Sequence, residues 1–196
     1  NSELPVLNLP PQRGFVDFFI NLLYLSNVIY NKTIFLIFLF FSNLSYSDNN
    51  NQLLLIKEPK TIDPFLVMDS YGKEKLISKT DGKILLLNFW ATWCPPCIKE
   101  IPALLKLKQR YKNDLEIFFI SVDFNFDKTV PKFLKKNNFE KLNVFNDQKL
   151  LISNKFKIKI MPTTIVIDKN FKKVSKVTGY VDWLSKDYLE LIEKLL

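Results

Sequence analysis

The feature that most constrains the fold is an apolar run from Lys83 to Phe89, followed at once by Trp90-Ala91-Thr92-Trp93 and then by Cys94-Pro95-Pro96-Cys97. A continuous run of that kind fits a strand buried on both faces of a sheet. Beyond the cysteines, Ile98, Ile101, Leu104, Leu105 and Leu107 recur with helical spacing, and Leu115 to Val122 forms a second apolar run. Strand, cysteine turn, helix and strand in that order predict a β–α–β unit whose strands are parallel. The chain has 196 residues, enough for one domain of about 100 to 200 residues plus a leader or tail.

The rest of the domain can be read in the same way. Phe65 to Met68 and Lys75 to Ile77 flank the turn-like Asp69-Ser70-Tyr71-Gly72, which predicts an amino-terminal hairpin. Thr129 to Asn137 reads as a helix with Thr129 as N-cap and Pro131 in its first turn. Leu142 to Phe145 reads as a strand and Leu150 to Phe156 as a short helix. Thr163 to Asp168 and Val174 to Thr178 form a hairpin pair through Lys169 and Asn170. Asp182 caps a final amphipathic helix carrying Trp183, Leu184, Tyr188, Leu191 and Leu195.

Upstream, Asn31-Lys32, the apolar Thr33 to Phe41 and the small polar Ser42 to Ser47 have the layout of an export leader. Residues 30–47 are therefore expected to be a signal peptide cut after Ser47, or an uncleaved anchor drawing on Phe18 to Phe41. Residues 1–29 show no pattern of their own and are an extension of uncertain origin; 48–52 form a polar linker, and 53–196 the globular domain.

Composition narrows the chemistry. The chain has no histidine, so proton transfer falls to carboxylates, thiols, lysines or water. Its formal charge is +8, but Lys155, Lys157 and Lys159 alternate with Phe156, Ile158 and Ile160, and the arginines are Arg13 and Arg110 alone. That is a solvated face and not the arginine-bearing stripe of a nucleic-acid reader.

Cys94 and Cys97 are the chain's two cysteines. A bridge between them closes too small a loop to act as a structural staple. A metal site usually takes four ligands and this motif offers two, which leaves two-coordinate copper(I) as the open metal alternative. At a strand-to-helix turn the free N–H groups and the helix dipole favour a thiolate on Cys94. In such motifs the first cysteine's pKa falls from about 8.5 to between about 3.5 and 7.5. Pro95 and Pro96 fit a first helical turn, where their missing N–H groups break no bond. Glu100 lies one turn beyond Cys97, so the two share a helix face. It is either a partly buried proton acceptor for Cys97 or a surface carboxylate placed by the helix dipole.

The segment Phe89 to Pro102 with Met161-Pro162-Thr163-Thr164 downstream resembles the TlpA/ResA-like branch of the thioredoxin superfamily, which includes the CcmG/DsbE reductases of cytochrome c maturation. The peroxidatic PxxxTxxC motif of the related peroxiredoxins is absent. The resemblance implies an α/β, thioredoxin-like fold: a central mixed sheet flanked by helices, with an amino-terminal hairpin and an inserted helix–strand element around Thr129 to Phe145. It implies that Cys94 attacks a substrate disulfide, that Cys97 resolves the mixed disulfide, and that Glu100 takes the Cys97 proton. Classical thioredoxins carry their buried acid on the preceding strand, where this chain has Asn88. Pro162 matches the family's cis-proline; Met161, Thr163, Trp93, Pro95 and Pro96 would border the bound substrate. Pro102 matches the family's kink in the long helix. No cofactor beyond the Cys94–Cys97 disulfide is implied. The partners would be protein thiol and disulfide substrates such as apocytochrome c, and a membrane thiol–disulfide electron donor. The expected protein is a monomer in the periplasm or cell envelope.

Overall fold

The computed structural model describes residues 54–196; the readings for 1–29, 30–47 and 48–52 fall outside the described residues. Eight strands build one mixed sheet: β1 (Leu54–Thr61), β2 (Phe65–Asp69), β3 (Glu74–Ile77), β4 (Ile84–Trp90), β5 (Leu115–Ser121), β6 (Val144–Asn146), β7 (Thr163–Ile167) and β8 (Lys172–Thr178). The helices are α1 (Pro95–Arg110), α2 (Phe126–Lys136), α3 (Leu151–Lys155) and α4 (Lys186–Leu195). Strand order across the sheet is β1-β8-β7-β4-β5-β6-β2-β3.

β4 is buried along its whole length because it pairs on both sides, parallel to β5 and antiparallel to β7. Successive side chains of a strand point to opposite faces, and the core divides accordingly. Ile84, Leu86 and Trp90 pack with Cys97, Ile101, Leu104 and Leu107 of α1 and with buried residues of α2 and α4. Leu85, Leu87 and Phe89 pack with Phe65, Phe118, Phe156 and Ile165 on the other face.

The β2–β3 hairpin forms as expected. Its turn is held by Asp69, whose Oδ1 accepts from the N–H groups of Tyr71 and Lys73, while Gly72 takes a φ of 77°. This hairpin joins the sheet through β6, so the inserted α2–β6 element carries it.

Three readings need correction, and one strand was not read at all. β1 is an additional strand, paired to β8 across a register shift; its exposed residues and Pro59 erase the alternation that marks a strand, and only an edge position tolerates them. α2 starts at Phe126 with Asn125 as N-cap; Thr129 is inside it, its hydroxyl donating to the Asn125 carbonyl, and Pro131 is interior. Burial of Phe126 in the α1-side core outweighs the capping preference of Thr129. The last helix starts at Lys186 after Ser185; Asp182 instead organises the preceding turn, its Oδ1 accepting from the Leu184 N–H, which leaves Trp183 and Leu184 in that turn. The strand read over Leu142 to Phe145 is Val144–Asn146.

Candidate active site

β4 ends at Trp90 and α1 begins at Pro95, so the cysteines occupy the joint between a buried strand and a helix amino terminus. Cys94 is the N-cap and Pro95 and Pro96 fill the first helical positions. The Ile98 N–H donates to the Cys94 carbonyl, and the Cys94 N–H to that of Ala91. Cys94 and Cys97 are joined as a disulfide with Cα atoms 5.3 Å apart. Cys94 retains 5% exposure and Cys97 none. An incoming group therefore reaches Cys94 first.

Glu100 is 1% exposed, which removes the surface reading of this residue. Burial pushes its carboxyl from 4.5 up to about 7, against donors that favour the ion: the Asn88 amide, the Trp183 indole and the Val181 N–H. Of these, Asn88 Nδ2 donates to Glu100 Oε1 at 2.6 Å. The Trp183 indole lies toward the carboxylate without reaching hydrogen-bond geometry. Asn88 Nδ2 also donates to Thr164 Oγ1 at 3.0 Å; the two residues are register partners in β4 and β7.

The loop before Cys94 is held from β5. The Thr92 N–H and hydroxyl both donate to the buried carboxylate of Asp123, at 3.0 and 2.6 Å, and the Ser121 hydroxyl donates to it at 2.8 Å. On the other side, the Met161–Pro162 peptide bond is cis. The Pro162 carbonyl accepts from the Gly179 N–H, and the Thr163 hydroxyl donates to the Ile160 carbonyl at 2.6 Å. Met161 packs against the core that contains both cysteines. Among the described residues, no group of three or more His, Cys, Asp or Glu side chains could hold a metal ion.

The model of the AhpC/TSA family matches residues 60–176. The chain belongs to this family. Thiol-disulfide oxidoreductase ResA of Bacillus cereus is 35% identical over 116 residues, 59% of this chain and 66% of that protein. ResA of Halalkalibacterium halodurans is 30% identical over 131 residues, 66% of this chain and 73% of that protein. Within the AhpC/TSA family the chain is thus a ResA-like member of the thioredoxin superfamily. The match spans 66% of the length of the Bacillus cereus relative. A protein from Chlorobium tepidum described as a thiol:disulfide interchange protein of the DsbE type superposes with a TM-score of 0.63 at 23% identity, covering 71% of this chain and 98% of that one. The fold is thioredoxin-like α/β, as the motif order implied.

In this ResA-like chain the structure gathers Cys94, Cys97 and Glu100 at the start of one helix and sets the Met161–Pro162 loop at the near end of β7. Trp93 is 64% exposed and Pro95 and Pro96 are exposed, so all three present their side chains outward. Thr163 is buried between its register partners Phe89 and Thr178, so its side chain locks the loop from behind and does not border a partner. Sequence reasoning missed Asp123 and Trp183. The signal for Asp123 was a carboxylate just past the apolar run of β5; Trp183 had none, because its approach to Glu100 depends on how the turn before α4 folds back.

Proposed function

We propose that this chain is a thiol–disulfide oxidoreductase that reduces protein disulfides through a Cys94–Cys97 cycle. The observation that carries the reading is a helix-terminal disulfide with a protonatable, buried carboxyl, Glu100, one turn below the less accessible sulfur. In the reduced protein the Cys94 thiolate attacks a substrate disulfide. A Cys94–substrate bond forms and the first substrate thiolate leaves. Cys97 then loses its proton to Glu100 and attacks Cys94 Sγ. The mixed disulfide breaks, the Cys94–Cys97 bond forms, and the second substrate thiolate departs with the electron pair. Two electrons have passed to the substrate. A carboxyl titrating near neutrality suits both directions of this proton transfer.

Trp93, Pro95 and Pro96 border the attacked sulfur, and the loop at Met161 and Pro162, locked from behind by Thr163, receives the extended substrate. The ResA resemblance and the leader pattern over 30–47 support a location in the periplasm or cell envelope, cleaved or anchored to the inner membrane facing outward. Among the described residues no helix is long and apolar enough to cross a membrane. Apocytochrome c thiols are the proposed substrate, a membrane thiol–disulfide protein the donor, and the monomer the working form.

The Cys94–Cys97 reduction potential tests this reading. A value near about −270 mV supports a reductase and one near about −120 mV an oxidant. Tight copper(I) binding by the reduced pair without turnover of any disulfide would overturn it in favour of copper handling.

A further inference from the structure

β4 is aliphatic or aromatic at every position except Asn88, which is fully buried. Its carboxamide spends both N–H donors inside the core, one on Glu100 Oε1 at 2.6 Å and one on Thr164 Oγ1 at 3.0 Å. Its Oδ1 has no hydrogen-bond partner. A buried acceptor without a donor costs stability, and a leucine of similar volume would avoid the cost. Packing therefore does not explain the residue. What the amide does achieve is orientation. The ionised carboxylate can only accept, so it takes one amide hydrogen and the other goes to Thr164 Oγ1; the reversed amide would set oxygen against oxygen unless Glu100 carried the proton.

We infer that Asn88 is a positioning residue for Glu100: its carboxamide, anchored on Thr164, holds a fixed N–H against the carboxylate and keeps that acid ionisable inside the core. The inference rests on Glu100 being the proton acceptor of the thiol cycle only for its functional consequence; the contact itself stands independently. Other groups face Glu100 as well. Cys97 shares its face of α1, Tyr188 of α4 interacts with it electrostatically, and the turn before α4 brings the Val181 N–H and the Trp183 indole. β4 and β7 contribute Asn88 and Thr164, neither of which titrates. The cation nearest in sequence, Lys99, lies over the Tyr180 ring at 4.5 Å. The described contacts thus give the Glu100 anion hydrogen-bond donors and no ammonium or guanidinium, so loss of one donor should be felt strongly.

The test is the Glu100 carboxyl midpoint, followed by carbon-13 NMR in the oxidised full chain, where neither cysteine titrates. In Asn88→Leu the midpoint should rise by about one to two pH units, the worth of one hydrogen bond to a charged group. Thr164→Val, which loses the anchor and keeps the shape, should move it the same way by less. If Asn88→Leu does not fold, Thr164→Val decides alone. An unmoved midpoint in a folded variant overturns the inference. The pH profile of mixed-disulfide resolution separates the two ideas. A raised midpoint with a matching upward shift of the profile supports both; a raised midpoint with an unmoved profile supports the Asn88 inference and sinks the proton-acceptor role of Glu100.

Discussion

Thr92 presents both its backbone N–H and its hydroxyl to the carboxylate of Asp123, at 3.0 and 2.6 Å. The contact ties the turn that carries Cys94 to the end of β5, and Ser121 adds a third donor. Asp123→Ala removes both acceptor oxygens, and the Thr92 N–H, unlike the two hydroxyls, cannot turn to another role. The variant should therefore unfold at lower denaturant, by about 1–3 kcal/mol for one donor left unpaired. Urea unfolding of the oxidised protein checks this: a lower midpoint with an unchanged slope is expected, and an unchanged midpoint would show that the clamp contributes nothing.

Glu100 gives the fold a pH dependence of defined sign. Burial raises its carboxyl from 4.5 to about 7, so between those values the folded protein holds a proton that the unfolded chain has released. Its contribution to stability is fully present below about pH 4.5 and is lost as pH rises through about 7. The loss is on the order of 3 kcal/mol. Urea unfolding of the oxidised wild type at the two ends of that window should show it, and Glu100→Gln, which cannot ionise, should flatten this part of the profile. An equal slope in the variant would mean that the dependence arises elsewhere.

The central unit was legible because each part carries a local signature: β4 and β5 as apolar runs, α1 as a helical repeat, the hairpin through its Asp69–Gly72 turn. What escaped is what depends on tertiary contact. β1 lacks alternation because it is an exposed edge strand with Pro59. The start of α2 is set by where Phe126 packs, not by the capping residue. Asn88 was recognisable as the place where an acid is missing, but its bonds join it to residues 12 and 76 positions away. No window on the sequence spans those separations.

Trp93 is 64% exposed and Phe124, just past the Asp123 clamp, is 84% exposed. Rings of this size flanking the cysteine turn and the Asp123 clamp offer apolar contact area to an extended polypeptide. Since neither supports the core, Trp93→Ala and Phe124→Ala should change unfolding free energy by less than about 0.5 kcal/mol. They should raise KM for an unfolded protein disulfide while leaving exchange with a small disulfide intact. If both substrates were affected equally, the rings would be serving the sulfur chemistry and not the contact with a polypeptide.

The i to i+3 relation of Cys97 and Glu100 on α1, with both side chains buried, makes the second exchange step the one that needs a base. Cys94 lies at the helix terminus and keeps some exposure, whereas Cys97 has none, so solvent cannot readily take its proton and a neighbouring base must. Glu100→Gln keeps the shape and the acceptor oxygen for Asn88 and removes the proton site. Formation of the mixed disulfide should then proceed at close to the wild-type rate, while its resolution by Cys97 slows by about 10²-fold, the lower end of what a positioned base supplies. The residual rate should climb with pH as hydroxide takes over. Stopped-flow exchange with a chromophoric disulfide separates the two phases, and a resolution rate in Glu100→Gln that matches wild type across the neutral range would assign the proton to solvent.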